Sequence, residues 1–288
     1  MQLPFSPGID PSTSWTKTSI RRGLRATAAL GVILVASTAS SQDPFALAEQ
    51  NRARLESISC RITYLWEQMP DYGGEAGELV LPEKTVFVFR MKGGRTQLRQ
   101  IAANKEEVTT DYWGDAKGQV GWTTKPRDSW HDVPQAVASS RSHLDQVVSP
   151  VSVGFLVEGI EAWRLGSEVN WRRRSETEVE RREASKVTRV ALDPHAGGLV
   201  KAVTNEHQDA ETTTHTEITD VVRVNGVWVP TGARITVTAK RQATPLLQLA
   251  VSFDDLRVNE EGDLPSKPDL KPGTRVLDAE TGRSYRVG

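Results

Sequence analysis

Residues 57–67 read Ser-Ile-Ser-Cys-Arg-Ile-Thr-Tyr-Leu-Trp-Glu. Ile58, Cys60, Ile62, Tyr64 and Trp66 alternate with Ser57, Ser59, Arg61, Thr63 and Glu67, a period of two that sends the first set to one face of a strand and the second to the other. A strand apolar on one side and polar on the other belongs in an antiparallel sheet with one face on a core and one in water. The expectation is a mainly β protein of the α+β kind.

The same pattern extends outward from this strand. Upstream, Asp43-Pro44 supplies a helix cap and a residue pre-set for the first helical position, and Phe45, Ala48, Arg52 and Leu55 share a face, so a helix is expected from Pro44 to Glu56. Downstream, Thr85 to Met91 places Phe87, Phe89 and Met91 on one face, and Gly93-Gly94 turns the chain into Thr96 to Ile101. Strands at Glu107 to Trp113 and Gln119 to Thr124 complete a meander. Between Ser142 and Trp163 the apolar residues recur at helical intervals, broken by Pro150 and Gly154, which predicts one or two short helices.

Strands resume at Glu168 to Arg174, Glu178 to Glu183, Lys186 to Leu192, Leu199 to Asn205, Thr213 to Val224, Val227 to Val229, Ala233 to Lys240 and Leu246 to Leu256. Turn chemistry at Asp193-Pro194-His195, Gly197-Gly198 and Asn225-Gly226 punctuates them. From Asn259 onward Pro265, Pro268, Pro272, Gly262 and Gly273 predict an extended tail that leaves the domain, with a last short pairing at Thr274 to Leu277 and Ser284 to Val287.

The start of the chain reads as an address. Lys17, Arg21, Arg22 and Arg25 precede an uncharged run from Ala26 to Ala39, shorter than the roughly 20 apolar residues that span a bilayer. Small residues follow, and cleavage is placed after Ser41. The reading is a signal peptide over residues 1–41 and a mature chain that is periplasmic or extracellular, with no transmembrane segment. Removing those 41 of 288 residues takes away four basic groups and one acidic group, leaving 32 basic, 36 acidic and a net charge of −4. A general nucleic-acid binder would be basic. Cys60 is the single cysteine, so the chain can form no intramolecular disulfide. Its expected state is a small buried apolar group.

No motif names a reaction. The pentapeptide G-x-S-x-G, the zinc-protease H-E-x-x-H and the Walker phosphate loop do not occur, and no catalytic residue, metal ligand or cofactor is assigned. His195, His207 and His215 are expected to be solvent-facing strand residues rather than a metal site. His131-Asp132 beside Trp130 is read as a loop. Arg172, Arg173, Arg174, Arg181 and Arg182 could meet phosphate or anionic headgroups, but interleaved Glu176, Glu178, Glu180 and Glu183 favour ion pairs across a solvated sheet face. Eight tryptophans, seven of them beyond the export segment, fit either an apolar cavity or an ordinary core.

The order of export signal, helix, long alternating strand, meander, helical interruption and second meander resembles the LolA-like superfamily of periplasmic lipoprotein carriers and its RseB-type relatives. Val190-Ala191-Leu192-Asp193-Pro194 before a glycine turn, and Thr216-Glu217-Ile218 leading to Val224-Asn225-Gly226-Val227-Trp228-Val229-Pro230, carry the resemblance locally. It implies a half-open antiparallel β-barrel wrapped over a few short helices. It also implies a non-catalytic role in which lipid or another apolar ligand occupies a hollow, with Ile62, Tyr64, Trp66, Phe87, Phe89 and Trp228 lining it. The domain so defined covers residues 42–258, and residues 259–288 form the tail. The alternative is a cell-envelope interaction module that binds another protein through sheet edges or that tail.

Overall fold

In the computed structural model, which describes residues 43–68, 84–102, 107–115, 119–127, 133–138, 171–240, 242 and 244–288, the alternating strand from Ser57 is the eighth of fifteen in one sheet. The first meander comprises β1 (Ser57–Gln68), β2 (Lys84–Lys92), β3 (Arg95–Ile101), β4 (Val108–Asp115), β5 (Val120–Lys125) and β6 (Gln135–Ala138). The second comprises β7 (Trp171–Arg173), β8 (Glu178–Arg182), β9 (Lys186–Asp193), β10 (Leu199–His207), β11 (Thr212–Val224), β12 (Val227–Ala239) and β13 (Leu247–Val258). They meet where β1 pairs with β13, and β14 (Arg275–Asp278) and β15 (Ser284–Arg286) extend the first meander beyond β6. Neighbours are antiparallel except β6 and β14, which run parallel. The two outermost strands, β15 and β7, do not pair, so the sheet stays open.

The sheet curls around α1 (Pro44–Ala53). From this short helix Arg52 reaches Met91 of β2, while Arg173 of β7 donates to Asp43 at the helix cap and stacks over Phe45, 5.0 Å from the ring centre. Those strands lie eight places apart in the sheet, about 38 Å at the usual strand spacing. A ten-residue helix is only about 15 Å long. Only a curved sheet brings both strands to it. The inner face carries one apolar core, with Ile62, Phe89, Leu98, Val179, Leu199 and Val229 almost completely enclosed. Cys60 belongs to it, and burial pushes its thiol up to about 12.

The helix seats against the turn after β9. Asp193 caps a single 3-10 turn (Pro194–Ala196) that ends in Gly197 and Gly198, both at positive φ. A Cβ on Gly198 would stand 2.1 Å from the carbonyl oxygen of Pro44 and 2.5 Å from the nitrogen of Ala48. Asn51 completes the joint, accepting from the backbone N–H of Trp228 at 2.7 Å and donating to its carbonyl at 2.9 Å. The amide thereby satisfies β12 as a neighbouring strand would.

Several expectations need correction. The helix ends at Ala53 rather than Glu56. Val227–Val229 and Ala233–Lys240 are one strand: Pro230 sits beside a register shift, before β12 meets β13 at Gly232, where a missing N–H is tolerated. β6 was not expected, being too short to show alternation. The segment from Asn259 does not leave the domain. Asn259 accepts from the N–H groups of Glu56 and Ser57 and donates to the carbonyl of Arg54, Leu264 is buried, and Val276 is fully enclosed in β14. The segment is a strap that crosses from the centre of the sheet to its edge. The expected signal peptide, the helices between Ser142 and Trp163, and His131-Asp132 lie outside the described residues. No helix among the described residues is long and apolar enough to cross a membrane.

Gly198 and Gly226 separate two costs of replacing glycine. Both have positive φ, but nothing lies within 4 Å of a Cβ on Gly226. Gly226→Ala is expected to cost about 1 kcal/mol from backbone strain. Gly198→Ala adds an overlap with the helix and should cost about 3 kcal/mol or more. Urea unfolding of the two variants checks the difference, and equal losses would mean that the helix yields at the joint.

Candidate functional site

The inner-face residues singled out in the sequence are largely brought together. Ile62 pairs with Phe87, Cys60 with Phe89, and Tyr64 with Thr85, which puts Ile62, Tyr64, Phe87 and Phe89 on the core side of β1 and β2. The rings of Tyr64 and Phe87 meet edge to face, 5.9 Å between centroids at 85°. Trp66 continues this face but is only half-buried, in a rung with Leu249 of β13 and Ile235 of β12. The next rung of β12 and β13, Val237 opposite Leu247, is half-buried as well. Trp228 packs against the same core, half-buried, where α1 seats. It has the opposite parity to the buried Val227 and Val229, and a Cβ on Gly197 would come within 2.6 Å of its ring.

The outer face of the first meander carries a second site that the sequence reading missed. Under the strap lies a cavity of about 920 Å³. Its floor is Gln97 and Arg99 of β3 and Asp111 and Trp113 of β4, residues directly paired across the two strands. Gln97, 1% exposed, donates from Nε2 to both carboxylate oxygens of Asp111 at 3.1 and 3.0 Å, and Arg99 Nε donates to Oδ2 at 3.2 Å. Burial raises the pKa of Asp111, against the opposing pull of Arg99 and Gln97. Leu264, Lys267 and Lys271 of the strap form the roof, and Arg95 pins it by donating to the carbonyl of Leu264 at 2.9 Å. Alternation alone could have grouped Gln97, Arg99, Asp111 and Trp113 on one face. Nothing in the local pattern showed that the strap returns to cover them.

No protein-family model and no curated protein matches the chain. Among solved structures it is similar to a LolA superfamily protein from Nitrosomonas europaea, at TM-score 0.48 and 10% identity over 78% of this chain and 94% of that one. It is similar also to a DUF1329 family protein from Desulfovibrio piger, at TM-score 0.46 and 10% identity over 75% and 92% of the two chains. A third is a putative outer membrane lipoprotein-sorting protein domain from Vibrio parahaemolyticus, at TM-score 0.44 and 10% identity over 77% and 95%.

The arginine-rich stretch resolves into ion pairs, as the interleaved glutamates implied. Glu180, 4% exposed, accepts from Arg182 at 2.7 Å, Arg189 at 2.9 Å and Arg174 at 3.1 Å. Arg189 continues the network to Glu206. Arg181 stacks over Trp171. The histidines do not gather: His215 pairs with Thr204, three rungs from the His207–Thr212 pair, and His195 lies in the turn after β9.

The hydrogen bond from Arg182, with those from Arg189 and the nearby charge of Arg174, holds the Glu180 carboxyl below the ordinary glutamate range. Its contribution to stability is therefore present above the unfolded-state pKa and lost as pH falls through the lowered folded value. At pH 7 Glu180→Gln is expected to cost about 2 kcal/mol, the worth of hydrogen bonds to a charged group. The gap from wild type should shrink on acidification below about pH 4, past the ordinary glutamate pKa. Denaturant unfolding across that range checks both, and a gap independent of pH would show that charge contributes nothing at this position.

Proposed function

We propose that this protein is an exported, non-catalytic carrier or sensor that holds lipid or another apolar ligand against the inner face of its half-open sheet. The observation that carries the reading is the grading of burial along that face. Ile62 and Phe89 are fully enclosed, whereas Trp66, Leu249, Val237 and Leu247 continue the same apolar surface half-buried. An apolar surface left partly open on the concave side of a curved sheet gains about 25 cal/mol for each Å² that a ligand covers. In this reading Ile62, Tyr64, Phe87 and Phe89 form the floor, Trp66 is the contact residue, and Trp228 supports the helix joint. The export segment expected over residues 1–41 supports a periplasmic or extracellular setting, where lipid exchange between membranes needs a shielded apolar surface.

A second reading, an envelope interaction module, is favoured by the open edge. β15 ends the sheet with Tyr285, opposite Val276, 55% exposed, and on the other face of this edge Leu277 of β14 is 42% exposed. An unpaired edge strand invites strand addition by a partner. Loss of a specific co-purifying envelope protein on Tyr285→Asp, with the inner face intact, would favour this alternative.

For the carrier reading, solvent extraction of the purified protein followed by mass spectrometry should recover a discrete lipid class, and a fluorescent fatty acid should be taken up saturably. Phe89→Ala, in the closed core, should cost about 3 to 5 kcal/mol. Trp66→Ala should cost clearly less in stability yet weaken uptake several-fold. No co-purifying lipid together with no uptake by the wild type would falsify the assignment.

A further inference from the structure

We propose that the cavity between the strap and the outer face of β2 to β5 is a binding site for an amphiphilic anion, a molecule with an apolar chain or ring ending in a phosphate or carboxylate. The site is separate from the inner face, because strand parity puts Gln97, Arg99, Asp111 and Trp113 on the side opposite Phe89 and Leu98.

Its volume of about 920 Å³ falls within the usual range for small-molecule sites. The walls supply an apolar body-sized surface: the Trp113 ring on the floor, Leu264 and Leu270 above, and Pro126 and Pro134 at the side. The charge around that surface is one-sided. Asp111 is already engaged by Arg99, which neutralises it at the floor, and by the amide of Gln97. Arg90, Arg95, Lys125, Lys267 and Lys271 also line the cavity, against the single further carboxylate of Asp269. Arg95 spends one N–H on the Leu264 carbonyl, and among the described residues Arg90, Lys125, Lys267 and Lys271 form no ion pair. Unpaired cations beside an apolar, partly aromatic wall fit a ligand that brings its own negative charge on an apolar body.

The roof is built to keep its shape. Prolines at 265, 268 and 272 restrict the strap backbone, Asn259 anchors its start to the first residues of β1, and Thr274 and Val276 bury its end. Lys267 and Lys271 are exposed, and both line the cavity. A ligand would therefore meet preformed charges rather than order a loose segment.

The test is titration calorimetry of the full mature chain with dodecyl phosphate and with laurate below their micellar concentrations, beside neutral dodecyl maltoside and inorganic phosphate alone. One anionic chain should bind per protein, at least tenfold tighter than either the neutral chain or free phosphate, and the tighter of the two anions identifies the headgroup. The double variant K267E/K271E should weaken that binding at least tenfold with an unchanged unfolding midpoint. K267R/K271R should retain it, and Trp66→Ala should leave it unaltered. Absence of anion binding, equal binding of the neutral chain, or indifference to K267E/K271E overturns the proposal. Loss in Trp66→Ala with retention in K267E/K271E likewise overturns it and assigns the anion to the inner face, so the two readings fail separately.

Discussion

The pairing of β1 with β13 is the constraint on which the rest depends, because it is the seam between two meanders that could otherwise be separate sheets. β1 is hydrogen-bonded on both sides, to β2 along Ser57 to Leu65 and to β13 from Ile58 to its far end. Every alternate residue from Ile58 to Trp66 must therefore suit the same core from two directions, since a slip of one residue would carry Ile62 and Tyr64 into water. Once the seam is fixed, Asn259 at the end of β13 lies beside the start of β1, and its side chain ties the two together. The strap begins at that knot.

The curvature has a similarly local origin. A short helix with limited apolar surface cannot hold a wide sheet by area alone. It does so by close approach at Gly198 and by amide pairing from Asn51 to Trp228, with Arg173 reaching the cap from the outermost strand of the second meander. The two faces then diverge in chemistry. The inner face is aliphatic and aromatic. On the outer face Glu180 is held by three arginines, whereas the first meander leaves a charged hollow that the strap roofs.

Much of the β architecture was legible because it rests on interactions between neighbours in sequence. Alternation from Ile58 to Trp66 and from Thr85 to Met91 gave the face of each residue, and Gly93-Gly94 and Asn225-Gly226 marked hairpins whose φ values are positive as such turns require. Cross-strand ion pairing around Glu180 followed from the interleaving of arginine and glutamate. The core side of Ile62, Tyr64, Phe87 and Phe89 was correct for the same reason. The packing of Trp228 against the Gly197 turn, about thirty positions away in sequence, was not legible, because its own strand does not set it.

The sequence by itself determined period, turn position and the apolar side of each strand, since those are properties of a few consecutive residues. Only the tertiary structure decided where the segment after Asn259 goes and what it covers. Leu264 is an isolated apolar residue among prolines, glycines and charges, and the expected pairing around Val276 gave no sign of the surface that would enclose it. Their burial depends on surfaces of β2 to β6 that exist only after the sheet has formed. The hairpin of β14 and β15 was legible in the sequence, but β14 also pairs with β6, more than a hundred residues away, and the four residues of β6 carry too little local preference to announce themselves. The cavity beneath the strap is a product of that late, long-range meeting.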